Sequence, residues 1–156
     1  MKLISFLLKS DPTILRIGAI HNKYVIDFSS TNLPKDMINF IEMGTKGLDI
    51  ANDHIHTCKN KYDVNDVVLK APINKPNKIL AVGLNYKKHI DEANELKSDS
   101  KNDFKLQDQY PNIFNKQNSS VNDPFGDVHR PNASECLDYE GELGFIIGRE
   151  CRHVSY

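Results

Sequence analysis

The chain has 156 residues, with 20 Lys and Arg against 21 Asp and Glu and a formal net charge of -1. That length suits one domain, or a small domain with part of a second, and is enough to bury a real core. The balanced charge excludes a nucleic-acid binder or a polybasic membrane anchor, both of which need an excess of basic residues, and no apolar run approaches the roughly 18 residues of a membrane span.

Residues 2–28 predict a meander of strands. Leu3, Ile4, Phe6, Leu7 and Leu8 form one run. Ile14, Ile17 and Ile20 form a second, broken by Gly18, and Tyr24-Val-Ile-Asp-Phe a third. Ser10-Asp-Pro and His21-Asn-Lys supply turn chemistry between them. Pro34 suits the start of a helix. Met37, Ile38, Phe40 and Ile41 fall at helical spacing up to Met43, and Gly44 and Gly47 are expected to stop that helix. A weaker helix is expected over 48–54, and a short strand at Val67-Val-Leu-Lys.

Pro72 and Pro76 punctuate a boundary. The expected organisation is a small N-terminal domain over 1–71, a linker over 72–77 and a second domain from 78 to 156. The second domain opens with a strand, Ile79-Leu-Ala-Val, followed by a helix over 87–96. Residues 97–110 are charged and nearly free of core material, as expected of a lid-like surface loop. A strand resumes at Pro111-Asn-Ile-Phe-Asn-Lys, and Tyr139-Glu-Gly-Glu-Leu-Gly-Phe-Ile-Ile-Gly predicts another that carries carboxylates in its first half. The fold class is α+β, rich in strands and without an alternating βαβ pattern.

Two constellations point to chemistry. His89 and Glu92 stand three apart on the predicted helix, so they share a face. A carboxylate holding one imidazole nitrogen fixes the tautomer and raises the basicity of the other, which is what a general base needs near neutral pH. A solvated helix pair is the competing reading. Glu140 and Glu142 stand two apart on the predicted strand and so point to one side. Two like charges that close call for a cation, and hard oxygens suit Mg²⁺, Mn²⁺ or Ca²⁺; two acids on the wet side of an edge strand is the alternative. His54-Ile-His-Thr-Cys58 alternates soft ligands, but without a fourth partner it is expected to be a loop or edge strand.

Three cysteines, Cys58, Cys136 and Cys151, are an odd number with no CxxC, which fits a reducing compartment. With no small-residue cleavage site after the apolar stretch near Met1, a cytoplasmic location is expected.

In order and approximate spacing, Lys78-Ile-Leu-Ala-Val-Gly-Leu-Asn-Tyr-Lys-Lys-His-Ile-Asp-Glu, Pro111-Asn-Ile-Phe-Asn-Lys116 and Asp138-Tyr-Glu-Gly-Glu-Leu-Gly-Phe-Ile-Ile-Gly-Arg resemble the fumarylacetoacetate hydrolase family. The opening through Val25-Ile-Asp-Phe resembles the small N-terminal domain of many bacterial members. The resemblance implies hydrolysis, decarboxylation, hydration or isomerisation of a small oxo or diketo acid, in a mixed β-roll that binds a divalent metal, usually Mg²⁺, and often forms homodimers. It implies His89 and Glu92 as a dyad that activates water or moves a proton. It implies Glu140 and Glu142 as metal ligands, and Lys116 as a positive charge beside the substrate.

In the family a further aspartate ligand follows the second of these glutamates, and this chain stops before that region. The expected fold is therefore a small N-terminal α+β domain followed by an incomplete roll. A truncated or degenerate fragment without catalytic activity is the competing hypothesis.

Overall fold

The computed structural model describes residues 1–95 and 110–155. The predicted lid over 97–110 therefore lies, except for Tyr110, outside the described residues. The contacts divide the chain into two compact units, Met1–Asn74 with Asn122–Tyr156, and Lys75–Val121.

The first unit is built on a five-stranded antiparallel sheet in the order β4-β3-β2-β1-β5. Its strands are β1 (Lys2–Leu8), β2 (Asp11–His21), β3 (Tyr24–Asp27), β4 (Tyr62–Asp63) and β5 (Val67–Lys70). The two-residue turn from β2 to β3 places Asn22 at φ 56°, in the left-handed region that asparagine tolerates. Alternation along β1 sends Ile4, Phe6 and Leu8 into one apolar cluster with Val25 and Val67, while Leu3 packs on the other. That other cluster joins Ile17, Ala19, Ile26 and Phe28 to Met37 and Phe40 of α1 (Met37–Glu42) and Ala51 and Ile55 of α2 (Thr45–Thr57). Buried Ser5 donates its hydroxyl to the Pro72 carbonyl at 2.8 Å, so the one polar side chain inside β1 is satisfied.

β2 is one continuous strand of 11 residues, where the sequence suggested a break at Gly18. Glycine is there for space: a Cβ would sit 2.2 Å from the Ile26 carbonyl oxygen on the neighbouring strand. Asp36 caps α1 by accepting from the Asn39 amide at 2.9 Å. Gly44, at φ 59°, separates α1 from α2.

Gly47, expected to end a helix, is instead buried within α2, and the helix runs on through the segment His54–Thr57, expected as loop or edge strand. Gly47, Ala51 and Ile55 recur every four residues and form the buried face of α2. Two of the three are small, which hid the periodicity. No helix among the described residues is long and apolar enough to cross a membrane.

The second unit pairs β6 (Ile79–Gly83) antiparallel with β7 (Asn112–Lys116), and α3 (Lys87–Glu95) follows β6. Ile90 is its buried helical anchor. The mixture of helices and antiparallel strands bears out the α+β class.

The segment expected as a strand over 139–148 has no regular secondary structure and is exposed throughout. A strand is stable only when its backbone groups join a ladder, and neither of the two sheets includes this segment.

Candidate functional site

The junction between β6 and α3 positions the His89–Glu92 pair. Gly83 closes the ladder opposite Asn112, and Leu84 then takes φ 52°, a left-handed conformation costly for a leucine. The Tyr86 carbonyl accepts from the Ile90 amide at 3.1 Å, which starts α3. His89 lies half-buried in the first turn and Glu92 is exposed one turn on. The sequence placed both residues correctly on one helix.

Lys116 pairs with Ile79 at the far end of the two-stranded ladder from the Gly83–Asn112 pair that leads into α3. Four residues of strand put these ends about 13 Å apart. The Lys116 ammonium lies 5.1 Å above the Phe114 ring on the same side of β7.

Glu140 and Glu142 belong to the first unit, in the exposed irregular segment. Residues two apart share a side only on a strand, so their spacing does not place these two carboxylates together. Among the described residues no three His, Cys, Asp or Glu side chains gather where they would hold a metal ion. The carboxylate oxygens suit a hard cation by type. Two of them on irregular exposed backbone do not fit an ion such as Mg²⁺, which demands six oxygens in near-ideal geometry.

The chain enters that segment through a clasp the sequence did not reveal. Asp123 accepts from the Ala71 amide at 3.1 Å with one oxygen and pairs with Lys70 through the other. The Lys70 hydrogen bond, helped by the Ala71 amide, holds the Asp123 carboxyl below its ordinary value of 3.8. Lys70 and Asp123 stand 53 positions apart, so only tertiary structure shows the pair. A second polar cluster also went unread: Arg16 donates to Asp27 at 3.2 Å and to Asp11 at 3.0 Å, and the Nε2 of His54 lies 3.1 Å from the Asp27 carbonyl. Those groups tie β2, β3 and α2 together, which makes His54 a structural residue.

A strand that leads through a strained turn into a helix bearing histidine and glutamate, and pairs with the strand that comes after that helix, is the framework on which the motif resemblance rests. The family model described as "Fumarylacetoacetate (FAA) hydrolase C-terminal" matches residues 78–156, and the chain belongs to the fumarylacetoacetate hydrolase family. Among curated relatives, a Dictyostelium discoideum protein, "Fumarylacetoacetate hydrolase domain-containing protein 2 homolog", is 29% identical over 99% of this chain and 48% of its own length. The rat "Oxaloacetate tautomerase Fahd2a, mitochondrial" is 31% identical over 84% of this chain and 39% of its own length. A human protein of similar name is 31% identical over 79% of this chain and 36% of its own. The chain thus spans about half or less of the length of these relatives.

These relatives also correct the cytoplasmic expectation, because the rat, Xenopus laevis and human proteins are named mitochondrial. An odd number of cysteines without CxxC had indicated a reducing compartment, and that pattern does not distinguish one such compartment from another.

Proposed function

We propose that the chain is the N-terminal domain and first catalytic portion of an enzyme that interconverts tautomers of a small oxo acid, with oxaloacetate as the first substrate to test. The observation that carries this is the placement of His89 and Glu92 one turn apart on α3, directly after the strained turn at Leu84. Strain of that kind clusters at working sites. The names of the rat and human relatives supply the substrate class.

Enolisation of oxaloacetate removes a proton from C3, beside the C2 ketone, and puts one on the C2 oxygen. His89 is the group suited to that exchange, since an imidazole takes and returns protons near neutral pH. Glu92 is the partner that accepts from the second ring nitrogen and favours the imidazolium formed when the C3 proton arrives. Lys116, at the other end of the β6–β7 ladder, is proposed to anchor a substrate carboxylate rather than to move a proton. Glu140 and Glu142 are assigned no metal-holding role, since two carboxylates on exposed irregular backbone do not fit a hard cation.

Fusing residues 1–156 to the part of the Dictyostelium relative that lies beyond the matched region tests the reaction class. The fusion should speed decay of the oxaloacetate enol absorbance. Cleavage of an acylpyruvate with no effect on the enol would replace tautomerisation with C–C hydrolysis.

A further inference from the structure

His21, the last residue of β2, and His56, in the last turn of α2, meet with ring centroids 5.7 Å apart and ring planes at 79°. The other soft ligands of that turn are committed elsewhere. His54 is held at the Asp27 carbonyl, and the Cys58 thiol donates to the Asn60 carbonyl at 3.0 Å. The alternation His54-Ile-His-Thr-Cys58 therefore leaves His56 to pair, and the fold brings its partner from β2.

A ligated imidazole holds its ring centroid about 3.2 Å from a zinc ion, given a Zn–N bond of about 2.1 Å. Two such centroids lie about 5.2 Å apart in tetrahedral geometry and about 4.5 Å apart across an octahedral right angle. The observed 5.7 Å is closer to the tetrahedral value. The edge-to-face arrangement does not aim both rings at one point, but His56 is exposed and its side chain is free to turn.

The backbone on both sides is already fixed. His21 pairs with Tyr24 in the β2–β3 ladder, and Ala51 and Ile55 seat α2 in the cluster that holds Ala19 and Ile26. Chelation thus costs side-chain rotation and no main-chain ordering. The C-terminal end of a helix also carries partial negative charge that favours a cation.

We propose that His21 and His56 hold a borderline divalent ion, with Zn²⁺ as the probe and water completing its shell, as a clamp between β2 and α2. Two nitrogen donors are fewer than the three of a catalytic zinc site, so a Kd of about 10–100 µM is expected. The clamp is independent of the oxo-acid chemistry.

The test is calorimetric titration of the 156-residue chain with Zn²⁺, with imidazole ¹⁵N NMR to locate the ion. The ring nitrogens of His21 and His56 should shift together as the site fills. His56→Ala and His21→Gln should each weaken that site by at least about 10-fold, and His129→Ala should leave it unchanged. His56 is exposed, so its variant should fold as the parent does by circular dichroism. Zn²⁺ at about ten times its Kd should raise the thermal midpoint of the parent by about 3–6 °C, and that of His56→Ala by about 1 °C or less.

Zn²⁺ that binds while both imidazoles stay unshifted, as at a cysteine thiol, overturns the proposal. So does an affinity that survives the loss of His56, or no binding up to about 1 mM.

Discussion

Asp123→Ala removes two interactions at once, and the clasp geometry sets how much should be lost. One is the hydrogen bond from the Ala71 amide to a carboxylate oxygen at 3.1 Å. Hydrogen bonds to charged groups contribute about 1.5 kcal/mol or somewhat more. The other is the Lys70 ion pair, whose side chains are 25% and 31% exposed, so screening keeps it well under about 1 kcal/mol.

A combined loss of about 1.5–2 kcal/mol corresponds to exchange of the Ala71 amide hydrogen that is faster by about 10–30-fold. Asp123→Asn retains an acceptor oxygen for Ala71 and should accelerate exchange by only a few-fold. The pH dependence follows from the depressed carboxyl. Its folded value lies below the unfolded 3.8, so its contribution is fully present above that value and is lost as pH falls through the lower folded one. Ala71 exchange that is unchanged in Asp123→Ala, or equally fast in both variants, would refute the clasp.

Gly18→Ala should destabilise the first unit by at least about 2 kcal/mol in urea unfolding, because its Cβ would lie 2.2 Å from backbone that cannot yield. Phe40→Ala, at a residue 1% exposed and packed on Phe28, should cost about 3–5 kcal/mol in the same measurement. Calorimetric titration of the 156-residue chain with Mg²⁺ should show no micromolar site, since two carboxylates leave the ion largely to its waters; micromolar binding would mean that a further ligand is present.

The fold was legible wherever apolar residues alternated between recognisable turns. β1, β3 and β5 follow from their runs of Leu, Ile, Val and Phe, and α1 from Met37, Phe40 and Ile41 at helical spacing. Gly18 and Gly47 misled for one reason: each was taken as a breaker, and each is instead a point where two backbones approach closely. The dyad helix was legible because His89, Ile90 and Glu92 lie in a local pattern. The Asp123–Lys70 clasp and the Arg16–Asp27–His54 cluster were not, since their members are distant in sequence. The strand at 139–148 failed because propensity favours a strand but does not supply the ladder that makes one.

His89 is the residue proposed to move the proton. In the fusion of residues 1–156 with the remainder of the Dictyostelium relative, the rate of oxaloacetate enol decay should be compared between the unsubstituted protein and His89→Ala. Loss of a general acid–base group predicts a fall of about 100- to 10,000-fold, with the fold unchanged by circular dichroism. A His89→Ala fusion that equilibrates the tautomers as fast as the parent would rule out His89 as the proton-moving group.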